Sequence, residues 1–114
     1  MKAIYICDPM GDWEKEVQDI QDQTGLNVTY MENPNFENYY FDVMFFDYGG
    51  MSMGNSMLES FCRRILKHAE DHPQKFYVMT STFTAYAMND LILELGSDTP
   101  TNIIPSITLF LKWK

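Results

Sequence analysis

The stretch FFDYGGMSMGNSMLESF, residues 45–61, decides the fold. An apolar run ends at Asp47, a loop with three glycines follows, and a helix-like pattern begins at Ser56. A buried strand that passes through a loop into a helix is the repeating unit of a parallel α/β sheet. Two interpretations of the loop stay open, because its glycines either turn the chain sharply into the helix or form a cradle for a ligand.

Further apolar runs predict the other strands of this sheet. Strands are predicted for residues 2–7, 26–30, 42–47 and 75–81, and one or two closing strands for residues 102–113 around Pro105. The run at 26–30 alternates apolar and polar residues, so we expect an edge strand with one wetter face.

A helix is predicted after the first strand, because apolar residues recur there at helical spacing. Trp13, Val17 and Ile20 recur at helical spacing, with charged residues between them. Asp12 is a candidate N-cap, and Gly25 is expected to end the helix.

Two further helices are predicted in the second half of the chain. Ser56 and Glu59 form a capping-box pattern ahead of a broad apolar face that stops before Pro73. The next helix is predicted over residues 84–95, and Gly96 is expected to end it.

The alternation predicts a single α/β domain over residues 1–114. Only a turn or two of helix is expected in residues 32–40. Right-handed crossovers place helices on both faces of the sheet, which gives a three-layer, doubly wound, Rossmann-like architecture. Five mainly parallel strands close most naturally in the flavodoxin-like order 2-1-3-4-5.

The carboxyl ends of strands 1 and 3 are predicted to meet at one edge, where ligands bind in such sheets. Asp8 and Asp47 would face each other there, with Asp12 nearby, and carboxylate oxygens suit Mg²⁺. The alternative is that Asp8 and Asp12 serve as turn and cap residues, since Asp readily binds its own backbone.

The strand-end loops also supply candidates for cofactor binding. These candidates are Gly49, Gly50, Ser52, Gly54, Thr80 and Ser81. The glycine loop matches neither the P-loop nor the dinucleotide fingerprint, and it contains no lysine. A phosphate is therefore disfavoured, and no cofactor other than Mg²⁺ is expected.

Histidine and cysteine patterns indicate structure rather than chemistry. His68 and His72 have the spacing of two metal ligands on one helix face. They lie at a predicted helix C-terminus, however, where a histidine interacts favourably with the helix dipole. Cys7 and Cys62 lie in apolar patterns, which predicts reduced core thiols and a cytoplasmic protein. No signal peptide or membrane span is predicted.

The charge is concentrated in one half of the chain. Residues 1–60 carry eleven acidic residues and two basic ones, within a formal net charge of −8. This argues against direct binding of nucleic acid. Solubility explains the charge, or else a protein partner with a basic surface or mimicry of the charge of a nucleic acid does. Nine methionines favour an adaptable core, with an exposed partner surface as the alternative. A homo-oligomer stays open as well.

From the third strand onward the chain resembles a response-regulator receiver domain. FDVMFFDYGGMSMG (41–54), FYVMTS (76–81) and LELGSDTPTNIIP (93–105) are similar to the family's third strand, fourth strand and fifth-strand end. The resemblance implies Asp47 as the phospho-accepting residue and Asp8 as an acidic metal position. It also implies Thr80, or else Ser81, as the hydroxyl residue.

The chain departs from the receiver pattern at several positions. Pro9 follows Asp8 where a second acid is expected, and Ile104 stands where the family has a lysine. Gly50 or Met51 replaces the loop proline, and the second helix is almost absent. The resemblance therefore implies a degenerate receiver without a complete set of phosphotransfer residues.

The favoured interpretation is a small, acidic, non-catalytic binding or regulatory module. Its surface would be the acidic side of the first helix and the strand-end loops. The alternative is an enzyme that processes a nucleotide or nucleoside through Asp8, Asp47 and Glu59. Nucleoside deoxyribosyltransferases are also similar here, since they place a helical Glu after this strand, which would make Glu59 a nucleophile.

Overall fold

Strands and helices alternate along the chain and build a parallel α/β sheet. The computed structural model describes residues 1–7, 12–31, 35–47 and 55–113, excluding the side chains of 55–57 and 113. The elements are β1 (Ala3–Cys7), α1 (Trp13–Thr24), β2 (Val28–Tyr30), a 3₁₀ turn (Phe36–Asn38), β3 (Val43–Asp47), α2 (Asn55–Asp71), β4 (Phe76–Met79), α3 (Thr82–Leu95), β5 (Ile103–Ile104) and α4 (Ile107–Trp113).

The strand order confirms the predicted flavodoxin-like arrangement. Within the described residues, the sheet has the order β2-β1-β3-β4-β5, and its neighbouring strands are parallel. β1 lies directly beside β3, with Ala3 opposite Val43 and Cys7 opposite Asp47. β2 is an edge strand, as its alternating pattern predicts. Only a single 3₁₀ turn lies between β2 and β3 in the described residues.

Successive residues of each strand point to opposite sides of the sheet and fill two separate cores. One core, which we call the α2/α3 face, contains Ile4, Ile6, Met44, Phe46, Tyr77 and Met79 beneath α2 and α3. The other, the α1/α4 face, contains Ala3, Tyr5, Val43, Phe45 and Val78 beneath α1 and α4. Continuous apolar runs such as residues 43–46 are therefore needed, because each strand is covered on both sides.

The first helix begins and ends as the sequence predicts. The Asp12 side chain accepts a hydrogen bond from the Lys15 backbone N–H at 3.4 Å, which identifies Asp12 as the N-cap. Gly25 follows the helix with φ of 73°, and its N–H donates to the Gln21 carbonyl. Trp13, predicted on the apolar face, is instead 37% exposed and stacks on Tyr30 with ring centroids 4.4 Å apart.

The end of the chain corrects the prediction of a second closing strand. Residues 107–113 form helix α4, and only the two residues of β5 pair with the sheet. The Ser106 hydroxyl accepts a hydrogen bond from the Leu109 N–H at 3.1 Å, as an N-cap does. Phe110 is buried against Phe45, with ring centroids 5.6 Å apart. A short apolar run does not distinguish strand from helix, so the decisive signal was Ser106 after Pro105.

The beginning of α2 corrects the predicted capping box. The helix starts at Asn55, so Ser56 is its second residue rather than its N-cap. The Glu59 carboxylate accepts a hydrogen bond from Arg63 at 2.8 Å, one turn further along the helix. Glu59 therefore belongs to an i,i+4 ion pair on the helix surface.

Both cysteines are core residues, as predicted. Cys7 and Cys62 are both buried, and neither forms a disulfide within the described residues. Burial raises the pKa of Cys62 to about 12, with a smaller contribution from Glu59. The Cys62 thiol is therefore protonated and unreactive at neutral pH.

Candidate functional site

The carboxyl ends of β1, β3 and β4 meet at one edge of the sheet. Cys7 and Asp47 are register partners on β1 and β3, and Phe46 pairs with Met79 on β4. The Thr80 N–H extends this ladder by donating to the Phe46 carbonyl at 3.0 Å. The predicted convergence of strand ends is thus present. Asp8 lies outside the described residues.

Asp47 is held by a short chain of hydroxyl groups from the start of α3. The Thr84 hydroxyl donates to the Asp47 carboxylate at 3.2 Å. Ser81 is the N-cap of α3, and its oxygen accepts from the Thr84 N–H at 3.2 Å and lies 2.7 Å from the Thr84 hydroxyl. Thr84 is completely buried, which fixes the Asp47 carboxylate relative to α3.

The two predicted hydroxyl residues have structural partners. The Thr80 hydroxyl donates to the Phe46 carbonyl at 3.2 Å and therefore ties the end of β4 to β3. Ser81 caps α3. Sequence reasoning missed Thr84, the hydroxyl that contacts Asp47, although its position three residues after Ser81 is the usual spacing of a capped first turn.

The electrostatics of this edge reflect crowded negative charge. Burial raises the pKa of Glu16, and the nearby charges of Asp47 and Asp19 raise it further. Tyr5, on β1, also has a raised pKa, first through burial and then through Cys7 and Asp47. A cation that approaches this edge would relieve the repulsion between carboxylates.

The predicted magnesium set is only partly within the described residues. Asp12 caps α1 and Asp47 contacts Thr84, whereas Asp8 is not among the described residues. In the described ranges, no group of three His, Cys, Asp or Glu side chains is arranged to hold a metal ion. The glycine-loop candidates Gly49, Gly50, Ser52 and Gly54 also lie outside the described residues.

Ile104, where the predicted resemblance would require a lysine, is apolar and inaccessible. Ile104 is 2% exposed and belongs to the core of the α1/α4 face. The other alternative catalytic residue, Glu59, pairs with Arg63 on α2.

The exposed side of α1 is strongly acidic. Residues 12–24 contain a single base, Lys15, and five acids: Asp12, Glu14, Glu16, Asp19 and Asp22. All three ion pairs found among the described residues use bases of α2. The negative charge of α1 is therefore not neutralised within the described part of the chain.

An apolar groove lies between α2 and α3, on the opposite side of the sheet. Its cavity has a volume of about 460 Å³. The lining residues are Leu58, Glu59, Phe83, Tyr86, Ala87, Asp90, Leu91 and Glu94. Sequence reasoning missed this groove. The available signal was the sequence of α3, which has apolar residues around its whole circumference and no basic residue.

The two histidines lie near the end of α2, where His68 contacts Phe36 and Phe41 of the segment before β3 and Tyr77 of β4. His68 is buried, shares a hydrogen bond with the Tyr77 hydroxyl and stacks on Phe41. The His72 ring stacks on the His68 ring with centroids 4.1 Å apart, and the His72 Nδ1–H donates a hydrogen bond to the His68 carbonyl. Burial lowers the pKa of His68, and His72 lowers it further. His68 is therefore a buried residue of the core, and His72 is half-buried beside it at the end of α2.

Comparison of the chain with protein-family models, with curated proteins and with solved structures finds no match. Among the described helices, none combines the length and the apolar character that crossing a membrane requires.

Proposed function

We propose that this protein is a non-catalytic binding module for a protein partner with a basic surface. The partner would contact the exposed side of α1 and the adjoining edge of the sheet at Asp47. Two buried thiols suit a reducing compartment, so we place the module in the cytoplasm.

The observation that carries the proposal is the unneutralised charge of α1. Five acids stand against one base on this helix, and the described ion pairs all lie elsewhere. The raised pKa of Glu16 has the same origin in part, because Asp47 and Asp19 oppose its ionisation. A basic partner would find complementary charge, and complementary charge accelerates association and selects partners.

The receiver resemblance supports regulation without phosphoryl transfer. Asp47 and Thr80, the site residues that this resemblance implies, lie at neighbouring strand ends of the flavodoxin-like sheet. Ile104, however, is a buried apolar residue where the resemblance requires a lysine. On this proposal the fold is retained as a scaffold for binding, and Mg²⁺ at the carboxyl edge stays a prediction.

The test is a binding measurement with a fluorescent lysine-rich peptide at low salt. The double variant Glu14→Gln/Asp22→Asn removes two charges from α1. It should weaken binding about fivefold, because charged contacts at an exposed surface contribute modestly. The matched variant Glu70→Gln/Asp98→Asn removes two exposed charges elsewhere and should change the affinity less than about twofold.

Two results would overturn the proposal. Equal losses in the two double variants would mean that only net charge matters and that α1 is not the site. A saturable response of Trp13 fluorescence to Mg²⁺ or a nucleotide, absent in Trp13→Phe, would instead favour the enzyme alternative.

A further inference from the structure

The groove between α2 and α3 exposes large apolar side chains that the fold itself does not use. Phe83 is 54% exposed and Tyr86 is 67% exposed, and both lie at the rim of the groove. Leu58 and Leu91, by contrast, are buried at its base. Covering such aromatic side chains with apolar atoms is favourable in proportion to the area removed from water. The groove is therefore suited to receive apolar side chains from outside.

The charges around the groove are unequal on its two sides. On the α2 side, Glu59 is paired with Arg63 at 2.8 Å. On the α3 side, Asp90 and Glu94 lie one turn apart, and no ion pair of the described residues includes either one. The uncompensated negative charge therefore lies along α3.

This charge distribution disfavours a second copy of the chain as the occupant. A symmetric dimer through the groove would bring the acidic rims of two α3 helices together, because the same patch faces itself in such an interface. Like charges placed opposite one another in an interface are costly. The occupant should instead carry cations beside its apolar side chains.

We infer that the groove binds an amphipathic helix of a partner protein, with an apolar stripe flanked by Lys or Arg. The apolar stripe contacts Phe83, Tyr86 and the groove base. The cations of the partner face Asp90 and Glu94 on α3. Recognition of an amphipathic helix in an apolar groove uses anchors at helical spacing, and a helix of about 18 residues is about 27 Å long, comparable to α2 itself.

This inference goes beyond the proposed function and concerns the other side of the sheet. The α1 helix packs on the α1/α4 face, whereas the groove lies on the α2/α3 face. Charge variants of α1 and apolar variants of α3 therefore report on different surfaces, and either proposal can fail while the other holds.

The test uses a synthetic helical peptide of leucine and lysine, with a scrambled peptide of the same composition as reference. Tyr86→Ala should weaken binding of the helical peptide about tenfold or more, as expected for an aromatic anchor. Tyr39→Ala is the matched control, since Tyr39 is also an exposed tyrosine (52%) but lies outside the groove, and it should change the affinity less than about twofold. Neither substitution changes the charge that α1 presents.

A second pair of variants locates the cations of the peptide. Asp90→Asn/Glu94→Gln should weaken binding about fivefold at low salt, and the difference should shrink at high salt. Glu59→Gln should have a smaller effect, because Arg63 already neutralises Glu59.

Several results would overturn the inference. Equal binding of the scrambled peptide, or equal losses in Tyr86→Ala and Tyr39→Ala, would exclude helix recognition by the groove. A dimer in sedimentation that Tyr86→Ala dissociates would assign the groove to a second copy of the chain instead.

Discussion

The two faces of the sheet share the same strands, but the helices that cover them expose different kinds of side chain. On the α1/α4 face, α1 contributes Ile20 to the core, packs Val17 against it and presents acids to the solvent. On the α2/α3 face, α3 contributes Met88, Leu91 and Ile92 to the core and still presents large apolar side chains outward. α1 is thus a conventional amphipathic helix, whereas α3 is apolar on both sides.

This difference separates what folding requires from what it does not. Each face already has a closed core, and the strand residues that form it are nearly inaccessible. The acids of α1 and the outward aromatic residues of α3 lie outside those cores. Solubility accounts for exposed acids, but it does not account for an exposed phenylalanine and tyrosine along one groove. The α3 surface is therefore the more informative of the two about binding.

The largest expected effect contrasts two aromatic residues of the α2/α3 face. Phe46 is completely buried and stacks on Phe61 with ring centroids 5.1 Å apart. Phe46→Ala should lower the free energy of unfolding by about 3–5 kcal/mol, because it leaves a cavity in a packed core. Tyr86→Ala should lower it by less than about 0.5 kcal/mol, as usual for an exposed residue. Urea unfolding of both variants measures the difference.

The neighbouring strand residue extends this comparison to the other face. Phe45 is equally buried, but it packs against Phe110 on α4. Phe45→Ala should cost about as much as Phe46→Ala. A large cost for Tyr86→Ala would show that its ring is part of the core, and the contrast between core and groove would fail.

An intermediate effect is expected when the pH falls below neutral, and it comes from His68 on the α2/α3 face. Burial lowers the pKa of His68 in the folded state, and the unfolded chain has the ordinary value of 6.5. As the pH falls below about 6.5, the unfolded state therefore binds more protons than the folded state, and stability decreases until the folded pKa is passed. His68→Gln should remove this pH dependence while lowering stability at pH 7.5 by about 1–3 kcal/mol through lost packing.

The matched control for His68 is the only other histidine of the chain. His72→Gln should retain the loss of stability between pH 7.5 and 5.5, which urea unfolding at several pH values measures. The pKa of His68 also depends on the charges of His72, Glu37, Lys75 and Asp71. Because His72 lowers this pKa, the His72→Gln control should raise the pKa of His68 slightly. If His68→Gln kept the same pH dependence of stability, the loss of stability in acid would not come from His68.

Most of the fold was predictable because its signals are local and repeated. Continuous apolar runs indicated strands covered on both sides, and helical periodicity with glycine stops indicated the crossovers between them. The error at residues 107–113 has a local cause as well. Seven residues are too few for periodicity to separate strand from helix, so the Ser106 cap carried the only distinction.

The candidate sites were less predictable because they depend on which helices become neighbours. Topology placed Asp47 and Thr80 at one edge, since parallel strands end together. The contact between Thr84 and Asp47 depends on the exact start of α3, and the groove depends on how α2 and α3 pack. An apolar residue such as Tyr86 looks like core in the sequence, and only the packed helices show it facing outward.

The smallest expected effect concerns charge crowding on the α1/α4 face. The pKa of Glu16 is raised, first by burial and then by Asp47 and Asp19, so its folded value exceeds its unfolded value of 4.5. The stabilisation that Glu16 provides is therefore complete below about pH 4.5 and is lost as the pH rises through the folded pKa. Glu16→Gln should raise the free energy of unfolding at pH 7 by about 0.3 kcal/mol, a small value because Glu16 is partly solvated.

The control lies two residues earlier on the same helix. Glu14 is exposed in the first turn, where a carboxylate is favourable near the helix N-terminus, so Glu14→Gln should leave stability unchanged or lower it slightly. Urea unfolding at pH 7 and pH 4 compares the two variants, and added salt should reduce the gain in Glu16→Gln by screening the neighbouring carboxylates. If both variants gain equally, the repulsion is spread over all of α1. Crowding would then not be centred where this helix meets the carboxyl edge of the sheet at Asp47.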